Sequence, residues 1–592
     1  MLDAAPFFFG KPDAPLFGWV HAPEPRQALA LGLVICNPFG FEEICAHRSL
    51  GYLARMAAEA GVAALRFDYS GCGNSSGIES DPDTLTRWVA SIHLAVDTLK
   101  QRIGVQHVVL AGLRLGATLA ALAAAQRSDV VAVVAIAPVV QGRLYLRELR
   151  ILAETVAGGG GLPTEKQHGL ESAGFLLTQE AVDSLGALDL RKMTVRPAHN
   201  VLIVDRDDLP VQPQWAEALV ALGADVRAVQ WPGYRAMMAD PQSSLVPIDM
   251  FAKVALALKE WSALVEQVQP TLGTEPESGK IWPSGAYVTR VFHERAVQIR
   301  VEGGILAGLL TTPAGETPST RGVLLINAGS VHSIGPNRLW VRLARRWAAY
   351  GITVVRLDLS GLGDSPARVG RTENVVYSAE AGNDIAMAVR YMREQLHIQE
   401  CQLLGLCSGA FHGFKAAVSG VPLASTVLIN PLTFFWELGK PLNGGIKDYE
   451  VVAQGSIYGR KIFSLESWYK LFRGQLDQRY VLAFAGRKLG TLLRPGMEAM
   501  AHLLGIPLQE DLARELRMAS RSGVQHFVFA SGEPGIKILR TQGKRSVTQM
   551  LSQGRVTIDL VPDADHTFTR MDARDCLVEV LDRLVIGGAQ TT

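Results

Sequence analysis

Long uninterrupted apolar stretches are missing from this sequence, and none reaches the roughly 18 residues that a membrane-spanning helix needs. The apolar triplet Phe7-Phe8-Phe9 is bracketed by Pro6, Lys11 and Pro12 and is too short for the core of a secretion signal. A cytoplasmic chain without a membrane span is therefore expected. Cysteine is scarce, with six among 592 residues (Cys36, Cys45, Cys72, Cys401, Cys407 and Cys576). No CxxC pair or neighbouring histidine pattern accompanies them, so neither a disulfide framework nor a zinc site is expected, and no other metal or cofactor is indicated. An excess of either charge is lacking too: 58 Lys+Arg face 57 Asp+Glu, which argues against a nucleic-acid partner. A composition that is 48% hydrophobic and 19% charged is ordinary for a globular protein. A chain of 592 residues is too long for one core.

What the sequence does contain is an internal repeat. Gly32 to Asn37 is an apolar, strand-like run, followed by Arg48, a helical stretch and Arg66-Phe-Asp68-Tyr-Ser-Gly71-Cys-Gly73-Asn-Ser75. The second half replays it as Gly322 to Asn327, Arg338, a helical stretch and Arg356-Leu-Asp358-Leu-Ser-Gly361-Leu-Gly363-Asp-Ser365. The offset is constant, since 338 − 48, 358 − 68 and 363 − 73 all equal 290. Short apolar strands alternating with amphipathic helices imply parallel βαβ units and a doubly wound sheet. The expected organisation is an N-terminal domain over 1–266, a Pro-, Gly-, Glu- and Ser-rich linker over 267–288 and a C-terminal domain over 289–592. Blocks with helical spacing at about 141–197 and 433–519 read as caps over the sheet edge where open α/β folds bind ligands.

Gly405-Leu-Cys407-Ser-Gly409 has the form Gly-x-nucleophile-x-Gly at a strand-to-helix junction, where a Cβ at either flanking position would clash. The helix that follows would favour a thiolate and an oxyanion at its N-terminal end. Downstream, the strand-like Phe527 to Ala530 ends in Ser531-Gly-Glu533, and Val556 to Val561 ends in Pro562-Asp-Ala-Asp565-His566. Nucleophile, acid, histidine is the chain order that α/β-hydrolases use. Cys407, Glu533 and His566 are thus the expected catalytic residues, with Asp563 and Asp565 shaping the histidine loop. The oxyanion hole is expected from the Ser408 backbone N–H and a second donor at Gly329 or Ser330. His332 in the same loop reads as a surface histidine or a substrate contact. The aromatic residues Phe434 and Trp436 suit an apolar acyl tail, or packing of cap on core.

The first half lacks these parts. Its turn reads Gly112-Leu-Arg114-Leu-Gly116, and a guanidinium that stays protonated cannot be a nucleophile. Acids stand at Asp207 and Asp208, but the last loop, Pro232 to Met238, has no histidine. The first domain is expected to be a non-catalytic partner, with Arg114 an alternative site for a phosphate or carboxylate.

The paired Arg-x-Asp-x-x-Gly-x-Gly-x-Ser segments, the Gly-Leu-Arg-Leu-Gly turn and Ala564-Asp-His566-Thr-Phe resemble α/β-hydrolases of the serine-aminopeptidase-like and exosortase-A-system-associated groups. That resemblance covers nearly the whole chain and implies two tandem α/β-hydrolase domains. A cysteine at the elbow is similar to dienelactone hydrolases and polyhydroxyalkanoate synthases, the latter holding an acyl chain as a cysteine thioester. The resemblance implies acyl transfer from a carrier-protein or CoA thioester, or an ester, to an alcohol or amine, with an acyl carrier protein as a partner. Hydrolysis of a thioester or ester, and a non-catalytic scaffold, are the alternatives. Oligomeric state is left open, a homo-oligomer included.

Overall fold

The computed structural model describes residues 4–156, 169–209, 213–265, 285–315, 319–436 and 510–587. Most of the expected linker over 267–288 and most of the expected second cap lie outside the described residues; the end of that linker, Tyr287–Val288, is a strand and belongs to the sheet that follows. Contacts divide the chain into two units, one of Met1–Val376, Asn383–Gln402 and Pro562–Thr592, the other of Tyr377–Gly382 and Leu403–Val561. Among the described residues no helix is long and apolar enough to cross a membrane.

In the first unit the first repeat supplies ten strands: β1 Ala4–Lys11, β2 Ala14–His21, β3 Leu31–Cys36, β4 Ala63–Phe67, β5 His107–Leu113, β6 Val130–Ile136, β7 Gly169–Ser172, β8 Phe175–Thr178, β9 Asn200–Val204 and β10 Asp225–Val229. Eight of them form one sheet in the order β1-β2-β4-β3-β5-β6-β9-β10. It is antiparallel at β1/β2 and β2/β4 and parallel from β4 onward. The central strands are buried along nearly their whole length, and their sequences (LGLVIC in β3, VVAVVAI in β6) are accordingly continuous apolar runs, as a sheet covered on both faces demands. The helices Phe41–Glu59 and Thr84–Ile103 provide part of that cover.

The same unit holds the opening of the second repeat: β11 Tyr287–Val288, β12 Phe292–Val301, β13 Gly304–Pro313, β14 Arg321–Ile326 and β15 Thr353–Leu357, ordered β11-β12-β13-β15-β14. Its registers copy those of the first repeat. Trp19 faces Arg66 and Leu309 faces Arg356; Gly32 faces Ala63 and Gly322 faces Thr353, so each pair recurs 290 positions on (309 − 19, 353 − 63). The second unit has β16 Glu400–Leu406, from Leu403 onward, with β17 Ser425–Ile429, β18 Val524–Ala530 and β19 Val556–Val561 in that order, β17 to β19 being parallel.

The repeated Arg-x-Asp-x-x-Gly-x-Gly-x-Ser segment is a structural loop. The Asp68 carboxylate accepts from the Asn74 N–H at 2.7 Å, and Asp358 accepts from Asp364 N–H at 3.0 Å. The Gly73 and Gly363 backbones have positive φ (48° and 53°), and a Cβ there would sit 2.2 and 2.4 Å from those same carboxylates, so only glycine fits. Ser75 and Ser365 each donate to the aspartate's carbonyl and accept, at 2.8 Å, a backbone N–H of β2 or β13.

These loops also join the repeats. Arg66 donates to Asp364 at 2.6 Å, and its counterpart Arg356 donates to Asn74, the counterpart of Asp364, also at 2.6 Å. Such reciprocity is the signature of a two-fold, isologous contact. Arg338, 8% exposed, donates to the carbonyls of Gly71, Gly73, Ser75 and Gly77 at 2.5–2.9 Å. Its counterpart Arg48 reaches one carbonyl, Ser244, at 2.6 Å. Side chains from both repeats share one apolar cluster: Phe8, Phe17 and Trp19 with Ala296, Ala307 and Leu309.

Truncating Arg338 strands the Gly71, Gly73 and Gly77 carbonyls and leaves Ser75 with Arg345 alone, at 3.1 Å, and loss of a buried charged donor of this kind costs about 3–5 kcal/mol. Arg338→Ala is expected to lower the unfolding free energy by that amount in urea titration, and Arg48→Ala by only about 1–2 kcal/mol. A second expectation concerns acid. Arg66 Nε donates to His21 Nε2 at 3.2 Å, so His21 is a neutral acceptor. Burial, and after it the Arg66 charge, lower the His21 pKa from 6.5 to about 3. The unfolded chain takes up a proton below 6.5 that the folded chain refuses until about 3, so stability is full above 6.5 and falls as the pH drops toward 3. Between pH 7 and pH 5 the native chain should lose about 2 kcal/mol more than His21→Gln, whose amide can accept the same bond without titrating.

Candidate active site

Cys407 follows β16 and directly precedes the helix Ser408–Val418. Its backbone has φ 57° and ψ −113°, a region that a side-chain-bearing residue enters only when its surroundings force it. The forcing is visible on both sides. The Cys407 N–H donates to Ile429 of β17 at 2.9 Å, and its carbonyl accepts from Phe411 N–H at 3.2 Å, which starts the helix. A Cβ on Gly405 would lie 2.2 Å from the backbone carbon of Gly409, so the turn closes only with glycine there. The result is a partly exposed thiol at the apex of a tight strand-to-helix bend. Ser408, whose backbone N–H is the first expected oxyanion donor, opens the helix and is buried.

Tyr377 stands beside this thiol. Burial pushes its hydroxyl well above the usual tyrosine range, and the nearby Cys407 adds to the rise, so the phenol stays a donor at any ordinary pH. Its ring stacks on Trp436 at 4.1 Å and meets Phe411 edge-on at 5.2 Å, with His412 5.9 Å away. Sequence reading singled out neither Tyr377 nor His412. Nothing local marks Tyr377, although His412 does fall five residues after Cys407 on the expected helix. Trp436 joins this aromatic group. Phe434, for which a substrate contact and core packing were both expected alternatives, is a core residue: it is 1% exposed and packs edge-on against Phe414 and Phe527 at 5.3 and 6.0 Å. An apolar ring that can reach a preformed core gains more there than at a wet cleft.

Glu533 ends the turn after β18 and caps the helix Pro534–Ser552, its N–H donating to Ala530 at 3.2 Å. Cys407, Ser408, Phe434, Trp436 and Glu533 all belong to the second unit; Gly329, Ser330, His332 and His566 belong to the first. His566 is half-buried in the loop after β19. Asp565 shapes that loop, accepting from the Thr569 N–H at 2.7 Å and the Thr567 hydroxyl at 3.2 Å, and Phe568, with φ 54°, is fully buried. Asn337 holds the loop from outside through the Thr567 and Phe568 carbonyls at 3.3 and 3.4 Å. Gly329 and Ser330 form the tip of a turn closed by the Val331 N–H to Ala328, with Gly329 at φ 60°. His332 is neither a surface histidine nor open to a substrate in that turn. It is 1% exposed, with its ring stacked on His47 at 3.8 Å, because the loop folds inward against the helix Phe41–Glu59.

In the first repeat Arg114 occupies the same bend, with φ 53° and ψ −122°, and its N–H donates to Ile136 at 2.9 Å. Its guanidinium is already satisfied: Nε donates to Glu42 at 2.7 Å, a terminal nitrogen donates to Glu148, and Tyr145 donates to the other Glu42 oxygen at 2.8 Å. An incoming phosphate or carboxylate would have to displace one of those carboxylates, which removes the ground for an anion site at Arg114. Asp207, at the acid's place, accepts from the Gly233 and Arg235 N–H groups at 2.6 and 3.1 Å and so fastens a loop in which Tyr234 is buried.

The family model described as serine aminopeptidase, S33 matches residues 40–168. The fold is that of the α/β-hydrolases. Among solved structures, the chain is similar to Est1E from Butyrivibrio proteoclasticus with ferulic acid bound, at 22% identity over 43% of this chain and 98% of that one, with a TM-score of 0.32. It is also similar to proline iminopeptidase from Mycobacterium smegmatis, at 19% identity over 44% of this chain and 99% of that one, with a TM-score of 0.30. No curated protein matches the chain. An α/β-hydrolase sheet carries its elbow through backbone closeness, which single substitutions can test. Gly405→Ala should lower stability by about 3 kcal/mol, since the clash is with backbone that cannot yield. Gly382→Ala, where the new methyl meets nothing within 4 Å in a helix, should raise it by about 0.5–1 kcal/mol. Paired denaturation curves measure both.

Proposed function

We propose that this chain is an enzyme that forms an acyl-thioester on Cys407 and passes the acyl group to an alcohol or amine. The observation that carries the reading is the elbow at Cys407, which puts a partly exposed thiol at the apex of a glycine-flanked strand-to-helix bend, the position from which this fold presents a nucleophile. In the proposed sequence His566 accepts the Cys407 proton, and Glu533 orients the imidazole and offsets its charge. The thiolate adds to the donor carbonyl, and backbone N–H groups at Ser408 and at Gly329 or Ser330 hold the oxyanion. Collapse expels the donor's thiol or alcohol, which takes the proton from His566. The acceptor then loses its proton to His566, attacks the thioester, and the thiolate leaves and is reprotonated.

A thioester suits this role because exchange with a donor thioester is nearly thermoneutral, so the acyl-enzyme stays competent for transfer. The donor class is an activated acyl group, from a CoA or carrier-protein thioester or an ester. Trp436 and Tyr377 provide an aromatic surface near the thiol for its apolar part.

Incubation with a short acyl-thioester, followed by intact-protein mass spectrometry, should show one acyl mass added to the native chain and mapped to Cys407. His566→Ala is expected to slow acylation about 10²–10⁴-fold, the range for loss of a general base. An added amine or alcohol should discharge the adduct faster than buffer alone. Discharge by water at one rate whatever the acceptor would make the chain a thioesterase, and a Cys407 inert to every acyl donor and thiol probe would end the reading.

A further inference from the structure

We propose that Glu43, His47 and His332 form a site for one divalent transition-metal ion of the zinc class, clamped between the two repeats. Glu43 and His47 lie four residues apart on the helix Phe41–Glu59, so their side chains leave the same face. His332 comes from the loop after β14 and meets them from the second repeat. His47 Nδ1 is 2.9 Å from one Glu43 oxygen, and His332 Nε2 is 3.6 Å from the other. One donor atom from each of the three residues falls within 4.8 Å of the other two, close enough for a small inward shift of the side chains to bring all three onto a single ion.

His332 gives the second, independent indication. It is 1% exposed, and neither of its ring nitrogens has a hydrogen-bond partner among the described residues. An imidazole stripped of water on both nitrogens carries an uncompensated cost of a few kcal/mol. A metal ion on one nitrogen removes the larger part of it. The arrangement around His47 supports the same reading. Its other nitrogen, Nε2, faces Asp364 at 3.2 Å, and Asp364 is itself held by Arg66 at 2.6 Å. A carboxylate behind a ligating histidine is the usual outer partner that fixes its tautomer and raises its basicity.

Two imidazoles and a carboxylate select zinc, cobalt or nickel over magnesium or calcium, which prefer all-oxygen sets. Three protein ligands leave a fourth position for water. A polar cavity of about 20 Å³, lined in part by His47, His332, Asp68 and Asp364, has room for one such water. The imidazole rings are now parallel, 10° apart in plane. Because nitrogen donates in the plane of its ring, binding requires His332 to tilt away from His47.

The test uses the full chain, stripped with a chelator and titrated with Co(II), whose visible absorption reports low-coordinate nitrogen and oxygen ligation. One Co(II) per chain, displaced by one Zn(II), is the expected result. Binding should vanish in His332→Ala and in the near-isosteric Glu43→Gln, and weaken about 10–100-fold in Asp364→Asn, the outer partner. Circular dichroism identifies which variants are folded. Failure of the native chain to take up either ion overturns the proposal, leaving His47 as an imidazole bridging Glu43 and Asp364. So does uptake that survives unchanged in a folded His332→Ala or Glu43→Gln chain.

Discussion

A single backbone constraint organises the second repeat: the residue between β16 and the helix after it must take positive φ. Everything nearby answers to that requirement. Glycine stands at 405 because the chain doubles back to within 2.2 Å of where a methyl would be, and the Cys407 amide is tied to β17 so that the strained conformer is held. Non-glycine residues in such conformations cost about 1–3 kcal/mol each. The first repeat keeps the same constraint with Arg114 at its apex, paired to Glu42 and Glu148. The bend therefore serves more than one chemistry at its tip: in the first repeat it carries an ion cluster of Arg114, Glu42 and the half-exposed Glu148.

Contact between the repeats follows from a second property of the same loops. Tight turns built on glycine point carbonyls outward, and those carbonyls need donors once water is excluded. Arg338 and Arg345 meet this need for the loop around Gly73 and Asn74, with Arg345 also held by the fully buried Glu294. Arginine suits the task because its planar fork reaches several acceptors at once and stays charged even when burial lowers its pKa, for Arg338 to about 10.

Much of this was legible in the sequence. The constant spacing of the Arg-x-Asp-x-x-Gly-x-Gly-x-Ser segments foretold strand registers that recur at the same interval, because register is fixed locally by the turn and the apolar strand beside it. The bend at Cys407 was legible because its glycines are neighbours in sequence. The fate of His332 was not: its loop looked polar, and its partners lie almost 290 residues earlier on a helix of the other repeat. Tyr377 escaped for the same reason, since no spacing connects it with Cys407. For Phe434 the sequence leaves substrate contact and core packing open, because an aromatic residue in a cap has the same local signature whether it faces a cleft or the core. Tertiary packing alone separates the two.

The pairing of Arg66 with Asp364, and of Arg356 with Asn74, has a consequence of its own. In a dimer of identical subunits each position serves twice, so a carboxylate chosen for one side of the axis is imposed on the other. A fused chain is released from that symmetry. Here the aspartate sits only where His47 and Arg66 both face it, whereas the amide sits beside Arg356, whose charge Glu294 already offsets. Joining the halves in one polypeptide thus lets positions paired across the two-fold specialise separately.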